Sequence, residues 1–215
     1  MTEQGLSTNL IKLANFYTKN IVSEKYDYET QHIPYCHMGA TITDAVLQAG
    51  LNYSKVVYPR VKRLLIDYSD YTTTCDFLIL MQVHPLDELI QFKNTRKLNL
   101  ITSLSNLFWA EKVDTESDLT QWLSKKQNKQ TLMKLKGFGP KTFDYLKMLS
   151  GDQSIAIDRH LFVFLHIAEI NITDYYEALN LYEELAKYLN ITKYKLDKTI
   201  WSFMSKKENL KIALL

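Results

Sequence analysis

The sequence predicts an all-α fold, and three observations support this class. Apolar side chains recur with helical periodicity through most of the 215 residues. Hardly any segment has the pattern typical of a strand. No internal repeat, low-complexity tract or long linker interrupts the chain. We therefore expect about ten helices in a compact helical protein, built as one large domain or two small ones.

The composition is that of a globular protein with little overall charge. Apolar residues make up 46% and charged residues 23% of the chain, and the formal net charge is +2. This charge gives no general argument for nucleic-acid or membrane binding, although it is compatible with a local basic face. The N-terminal sequence lacks a signal-peptide pattern, and no apolar run approaches the ~20 residues of a membrane span. We expect a cytoplasmic protein, taken to be a monomer, that binds no membrane.

The two cysteines, Cys36 and Cys75, limit metal and redox chemistry. They are too few for a disulfide scaffold, a four-cysteine zinc site or an iron–sulfur cluster held by cysteines alone. We expect both to be reduced thiols. Cys36 and His37, with His32 nearby, form a short cluster of metal-ligand types that lacks a fourth ligand. The sequence therefore predicts no metal and no cofactor.

Apolar spacing and helix breakers predict the elements of the N-terminal third. A helix over 6–22 carries one apolar face, formed by Leu10, Leu13, Ala14, Tyr17 and Ile21. The next segment, SEKYDYETQHIPYCHMGA, is expected to be irregular. Thr43 or Asp44 is expected to cap the following helix, which Gly50 and Pro59 interrupt.

The same pattern continues to the C-terminus. TTTCDFLILMQ would suit a strand by itself, but its helical neighbours favour a buried helix. LDELIQF and NTRKLNLITSLSNLFWAEKV are helical, and Thr115 with Asp118 opens SDLTQWLSKKQ as a capping box. Three further helices are expected in AIDRHLFVFLHIAEI, TDYYEALNLYEELAKYL and KLDKTIWSFMSKKENLKIALL. The second of these begins at Thr173 or Asp174.

The stretch LMKLKGFGPKTFDYLKML, residues 132–149, holds two of the six glycines of the chain. Helices are expected on both sides of its central KGFGP. Gly137 suits the left-handed position that ends a helix, and Pro140 suits the first turn of the next helix. Phe138 is the only bulky residue of the loop and is expected to fill the angle between the helices. The pattern predicts a helix, a tight hairpin and a second helix.

Gly139 is less easily explained by the turn alone. A glycine before a helix N-terminus lets a ligand approach bare backbone N–H groups, where the positive end of the helix favours an anion. Lysines surround this position, namely Lys134, Lys136, Lys141 and Lys147. The pattern favours a phosphate site. The alternative is a plain corner, in which both glycines only permit a tight turn.

One run, LKGFGPKT, is followed along the chain by a second, IAIDRHL. Together they resemble the helix–hairpin–helix and Gly/Pro-rich loop with aspartate of the base-excision DNA glycosylases related to endonuclease III. That family has approximately L-P-G-V-G-x-K-T-A and then V-D-x-H. The matching residues are Leu135, Gly137, Gly139, Lys141 and Thr142 in the first part, and Asp158 and His160 in the second. The match spans residues 135–161, and its two parts at this spacing are specific.

The resemblance implies a two-lobed helix–hairpin–helix glycosylase fold. A six-helix barrel lobe would cover residues 40–152, with the helix–hairpin–helix near 131–149. Residues 1–39 and 153–215 would together form the second lobe, and the active site would lie in the cleft between the lobes. Many relatives carry four cysteines around an iron–sulfur cluster near the C-terminus. This chain has no cysteine after Cys75, so the cluster is expected to be absent and its DNA contacts replaced or lost.

The resemblance also implies the chemistry of a glycosylase with lyase activity. Breaking an N-glycosidic bond builds positive charge on the deoxyribose, which a carboxylate near C1′ stabilises. A neutral lysine amine attacks C1′ and forms a Schiff base, which permits strand cleavage by β-elimination. Asp158 and Lys141 would have these roles, and the chain could return from the end of the hairpin helix to bring them together. Asp158 could instead only cap its helix, and Lys141 could only pair with phosphate.

The expected partner is double-stranded DNA with a damaged base or an abasic site, and the enzyme would flip the nucleotide out. In the family a loop after an early barrel helix fills the gap, and Gln48, Asn52 or Tyr53 stands in that region here. His160 could contact phosphate or simply pack. The remaining DNA contacts are expected from the hairpin residues Lys136, Gly137, Phe138, Gly139 and Thr142.

Three other functions remain open at this point. The chain could be a monofunctional glycosylase in which Lys141 contacts phosphate, or a binding module that grips DNA without chemistry. It could also be a structural or interaction protein in which the hairpin is a plain corner. The lesion is equally open between oxidised pyrimidine, 8-oxoguanine and alkylated purine, because base choice depends on residues dispersed in sequence.

Overall fold

The computed structural model describes residues 7–21 and 32–213, with the side chains of the last helix described up to Lys206. These ranges contain twelve α-helices, one π-helical turn and no strand, so the all-α prediction is confirmed. The elements in chain order are α1 (Thr8–Ile21), α2 (Met38–Leu47), the π-helical turn (Tyr53–Val57), α3 (Tyr58–Asp67), α4 (Thr74–Val83), α5 (Leu86–Leu89), α6 (Thr95–Ala110), α7 (Glu116–Leu123), α8 (Lys126–Met133), α9 (Pro140–Leu149), α10 (Arg159–Ile167), α11 (Tyr175–Tyr188) and α12 (Lys193–Ala213). Of the segment 23–40 that was expected to be irregular, residues 23–31 lie outside the described residues, 32–37 are irregular, and 38–40 already belong to α2.

The chain divides into two units. The first unit comprises residues 32–152 and contains α2 to α9. The second unit contains α1 together with α10, α11 and α12, and its long segment begins at Gln153. The sequence analysis placed the ends of the first lobe at residues 40 and 152. The described part of this unit holds eight helices, one of them the single-turn α5, where six were expected.

Helix α2 is the centre of the first unit. Every one of its residues is buried, and it packs against α3, α4, α6 and α9. The expectation that Thr43 or Asp44 caps this helix is wrong. The helix begins earlier, at Met38, and His37 is its N-cap, with Nδ1 accepting from the Ala40 N–H at 3.2 Å. Thr43 and Asp44 therefore lie inside a helix that is covered on all sides.

Two capping boxes define the helices around α2. Thr115 and Asp118 cap α7 as the sequence predicts. Thr73 and Asp76 form a second box at the start of α4, and its TxxD pattern explains why this apolar segment is a helix and not a strand. The helix prediction for the segment is confirmed. Its burial is incomplete, because Ile79 is 47% exposed.

The second unit has a separate apolar core. Helix α1 packs against α11 and α12 through its predicted apolar face, and α10 packs against α12. Asp174 begins α11, since its Oδ1 accepts the N–H groups of Tyr176 and Glu177 at 2.9 Å each. The Tyr182 hydroxyl donates to the Leu161 carbonyl at 2.7 Å and ties α11 to α10. Within the described ranges, no helix combines the length and apolar character needed to cross a membrane.

The close contact between α2 and α4 yields a stability prediction. A Cβ on Gly39 would stand 2.6 Å from Cδ2 of the fully buried Phe77 ring. Gly39→Ala should therefore lower the free energy of unfolding by about 1–3 kcal/mol, because neither helix backbone moves freely in a packed core. Urea denaturation measures the change. Gly139→Ser is the matched control, since a Cβ there meets no atom of the described chain within 4 Å. Equal stability of Gly39→Ala and wild type would contradict this packing.

Candidate functional site

The hairpin between α8 and α9 has the turn chemistry that the sequence predicts. Helix α8 ends at Met133, and the Phe138 N–H donates to the Leu135 carbonyl at 3.0 Å. Gly137 has a φ of +90°, in the left-handed region where a side chain is strained. Pro140 is the first residue of α9, where its missing N–H costs no helical hydrogen bond. The predicted helix, tight turn and second helix are confirmed.

Gly139 is the N-cap of α9, yet neither its backbone nor its packing requires glycine. Its φ of −133° and ψ of 178° are extended values that any residue adopts. No atom of the described residues beyond its chain neighbours lies within 4 Å of the position of a Cβ. Gly139 also offers no side chain to cap the first N–H groups of α9, which have no acceptor within the helix. A glycine here leaves the positive end of α9 open to an anion.

The other predicted hairpin residues differ in exposure. Lys136 is exposed, and Lys141, in the first turn of α9, is half-buried. Thr142 is buried in the same turn. Phe138 is only 6% exposed and belongs to the core of the first unit, which is compatible with its expected place between the helices. Phe138 therefore holds the hairpin in place, while Lys136 and the backbone of Gly137 face solvent.

Lys97 on α6 interacts electrostatically with Lys141 and was missed by the sequence analysis. Its ammonium donates to the carbonyls of Val46 and Ala49 at 2.6 and 2.7 Å, and so caps the C-terminal end of α2. Burial lowers the pKa of Lys97, and the charge of Lys141 lowers this pKa further. Two like charges repel each other, so this part of the first unit brings the two ammonium groups together at an electrostatic cost.

The segment after α2 holds the three predicted gap-filling residues, and the structure places them differently. Gln48 is the C-cap of α2, and its side-chain Nε2 is buried with no hydrogen-bond partner among the described residues. Asn52 is exposed, and its Oδ1 accepts the Lys55 N–H at 2.8 Å as the cap of the π-helical turn. The Tyr53 hydroxyl lies 3.3 Å from the Tyr35 hydroxyl and is part of an internal polar cluster.

Asp158 is the N-cap of α10. Its Oδ1 accepts the N–H groups of His160 and Leu161 at 2.8 and 3.1 Å. The other oxygen, Oδ2, lies 3.1 Å from Nδ1 of His160. Both carboxylate oxygens are thus held in fixed directions, and the side chain of Asp158 is only 13% exposed. The predicted cap is confirmed, and this anchoring is compatible with a second role for the carboxylate.

His160 packs as well as bonding to Asp158. Its ring meets the Trp201 ring edge to face, with 5.9 Å between the centroids, and Lys198 Nζ lies 5.4 Å from the same Trp201 centroid. Asp197, on the same helix as these two residues, accepts the Ala156 N–H at 2.9 Å. Helix α12 therefore supports the chain segment that enters α10. Trp201 and Lys198 carried no sequence signal beyond the helical pattern of their segment.

The predicted site residues are distributed over both units. Lys141, the hairpin and residues 48–53 belong to the first unit, whereas Asp158 and His160 belong to the second. Inside the first unit, Lys97 joins the hairpin helix to the end of α2, because it contacts Ala49 and interacts with Lys141. The sequence shows Lys97 only as a lysine in the first turn of α6. Its partners are carbonyls about 50 positions earlier in the chain, so the local pattern does not reveal the link.

In the part of the chain that the structure describes, no group of His, Cys, Asp and Glu side chains has the geometry to hold a metal ion. Residues 13–205 match the model of a family described as a domain of unknown function (DUF8548). No curated protein and no solved structure matches the chain. Any activity must therefore be argued from the residues of this chain.

The anchored carboxylate of Asp158 allows its cap to be separated from its charge. Asp158→Ala removes the acceptor of two backbone N–H groups and should cost about 1 kcal/mol of unfolding free energy. Asp158→Asn keeps an acceptor of the same shape and should remain close to wild type, because Asn and Asp are equivalent N-caps. Urea denaturation of both variants checks this. Equal loss in the two variants would mean that the charge, and not the cap, stabilises α10.

Proposed function

We propose that the chain, which belongs to the DUF8548 family, is a DNA glycosylase with lyase activity that acts on double-stranded DNA containing a damaged base or an abasic site. The observation that carries the proposal is Gly139. Its neighbour Gly137 is explained by the turn, but Gly139 has no internal explanation, and a phosphate at the start of α9 supplies one. The accompanying fold proposal is the two-lobed helix–hairpin–helix glycosylase fold.

The hairpin would bind the DNA backbone. A phosphate oxygen at the N-terminus of α9 accepts hydrogen bonds from backbone N–H groups and interacts with the positive end of the helix. Lys136 is exposed beside this position and contributes charge. The Nε2 of Gln48 is buried and has no hydrogen-bond partner among the described residues. It gives separate support for a polar ligand at the segment after α2, since an unsatisfied buried donor costs about 1–3 kcal/mol.

Lys141 would be the nucleophile. Its neutral amine forms a bond to C1′ of the deoxyribose, and the C1′–N bond breaks with its electron pair leaving on the base. The amine nitrogen gives up a proton, the C1′–O4′ bond breaks as O4′ takes up a proton, and the opened sugar is held as a Schiff base. Loss of a C2′ proton expels the 3′ phosphate and cleaves the strand. The first step requires a neutral amine, and burial or a neighbouring cation such as Lys97 is the kind of environment that lowers the pKa of a lysine.

Asp158 would stabilise the positive charge that develops on the sugar as the C1′–N bond breaks. A carboxylate does this best when it needs no reorganisation during the reaction. Backbone N–H groups at 2.8 and 3.1 Å and the His160 ring hold both of its oxygens. The same residue therefore caps α10 and would act on the substrate.

Borohydride trapping on a duplex with one abasic site tests the nucleophile. We expect wild type to form a covalent adduct, because reduction fixes the Schiff base, and Lys141→Ala to form none. Lys126→Ala, at an exposed position of α8, is the matched control and should retain the adduct. A folded wild type that binds the duplex but gives no adduct would remove the lyase. Base release without strand cleavage would then identify a monofunctional glycosylase, and neither activity would identify a binding module.

The phosphate site predicts a specific dependence of DNA affinity on salt. Lys136→Ala should weaken binding to any duplex sequence and should lower the slope of log K against log salt by about 1, because one phosphate contact is lost. Gly139→Ser should also weaken binding, because the serine side chain caps α9 in place of the phosphate. The free energy of unfolding should stay almost unchanged, because Ser and Gly differ little as N-caps. Fluorescence anisotropy at several salt concentrations measures both. Unchanged affinity in Gly139→Ser would indicate a plain corner.

A further inference from the structure

The N-cap of α2 is a titratable side chain that has no part in the reaction described above. His37 is 2% exposed, and both nitrogens of its ring contact backbone groups. Nδ1 lies 3.2 Å from the nitrogen of Ala40, in the first turn of α2. Nε2 lies 3.2 Å from the carbonyl oxygen of Tyr68, the C-cap of α3. The ring therefore connects the start of α2 to the end of α3.

The chemistry of these two partners determines the protonation state of the ring. A backbone N–H only donates, so Nδ1 is the bare nitrogen that accepts from Ala40. A carbonyl oxygen only accepts, so Nε2 carries the proton and donates to Tyr68. His37 is thus held as one neutral tautomer. A proton added to Nδ1 would face the Ala40 N–H, donor against donor, and would place a positive charge at the positive end of α2.

Neighbouring helices of the first unit begin with caps of a different kind. Thr73 caps α4, Asn94 caps α6 and Thr115 caps α7, each through a side-chain oxygen. Such oxygens accept from backbone N–H groups without titrating near neutral pH, whereas a histidine changes its charge there. The start of α2 therefore depends on pH in a way that these three helix starts do not.

The surroundings of the His37 ring act on its charge in opposite directions. Burial lowers the pKa of His37, and this effect outweighs the carbonyls at the end of α3 and the charge of Glu116, which raise it. Glu116 is the first residue of α7, and its Oε1 accepts the backbone N–H of His37 at 2.8 Å. The neutral ring is therefore favoured, although an acidic group lies beside it.

Other titratable groups belong to the helices around this contact. The remaining acids in the first turns of α4 and α7, Asp76 and Asp118, are held in capping boxes. At the end of α4, the ring of His84 lies 6.2 Å from the ring of Tyr68, measured between the centroids. Because these groups titrate as well, the effect of His37 must be isolated by comparing variants at each pH.

We propose that His37 is a pH-sensitive switch, which holds residues 32–37 and the first turn of α2 against the end of α3 at neutral pH and releases them in mild acid. The inference does not rest on the proposed function. Protonation of Nδ1 leaves the N–H of Ala40 without its acceptor at a position that is 0% exposed. An unsatisfied buried donor is unfavourable, and opening of this turn to water gives both groups a partner.

The direction of the pH dependence follows from the lowered pKa of His37 in the folded chain. In the unfolded chain this side chain takes up its proton near pH ~6.5, and in the folded chain only at lower pH. The stability that the neutral ring provides is therefore complete above pH ~6.5. It is lost as the pH falls through the pKa of the folded state, because the unfolded chain then binds one more proton.

Urea denaturation at several values between about pH 8 and about pH 5 tests the switch in wild type, His37→Asn and His166→Asn. Asparagine keeps a capping acceptor and does not titrate in this range. Below pH ~6.5 the equilibrium constant for unfolding of wild type should rise relative to that of His37→Asn, by up to about tenfold per pH unit. His166→Asn removes an exposed histidine of α10 and should follow wild type. Parallel pH curves for wild type and His37→Asn would overturn the inference.

Two measurements on wild type do not depend on the folding of a variant. Nitrogen chemical shifts of the His37 ring at neutral pH should show a bare Nδ1 and a protonated Nε2, and the opposite tautomer or an imidazolium would contradict the switch. Amide hydrogen exchange, corrected for the intrinsic rate at each pH, should show that the Ala40 N–H loses protection in mild acid before the amides in the middle of α6. Simultaneous loss at both places would mean that the whole unit unfolds, which would overturn the local release.

Discussion

Complete burial of α2 is the constraint on which the first unit depends. Four helices pack against it, so none of its faces is left for charged or bulky groups that do not fit the interior. Gly39 permits the approach of α4, and Glu116 reaches in from α7, where its Oε1 accepts from the His37 N–H and the Thr41 hydroxyl at 2.8 Å each. A surrounded helix converts each polar residue into a specific contact, because every polar group there needs a partner. The position of α9, and with it the hairpin, follows from this packing.

The local part of the structure could be predicted from the sequence. Gly137, Pro140, Asp158 and the Thr115 capping box were all identified, because each acts on backbone groups within three or four residues of itself. The start of α2 was missed for a physical reason. An N-cap is normally recognised at the first residue of an amphipathic pattern, and a helix buried on every side has none. Its cap is a histidine, a residue type outside the usual capping set.

The candidate site divides along the same line. Residues whose role depends on the hairpin could be placed from sequence, whereas the contacts of Lys97 and of the buried Asp44 are made between distant segments. The Tyr145 hydroxyl reaches a carboxylate 101 positions away, and Lys97 reaches carbonyls 51 and 48 positions away. The only local signal was an acid within the otherwise uncharged run MGATITDAVL. Periodicity cannot distinguish such a residue from a cap or from a surface acid, and that is why the sequence predicts Thr43 or Asp44 as the cap at the start of the helix.

Stability alone gives little reason to keep Asp44. A buried carboxylate loses several kcal/mol of hydration, and replacing buried charged groups with apolar residues of similar volume is often neutral or stabilising. The hydroxyls of Tyr35 and Tyr145 offset part of that loss by donating to the carboxylate. Fixing these two side chains, and that of Tyr53 against Tyr35, costs conformational entropy. Lys97 has similar features, since a half-buried ammonium with a lowered pKa is a costly cap for a helix. Both groups lie beside α9, Asp44 through its hydrogen bond with Tyr145 and Lys97 through its interaction with Lys141. A fold that only had to be stable would need neither.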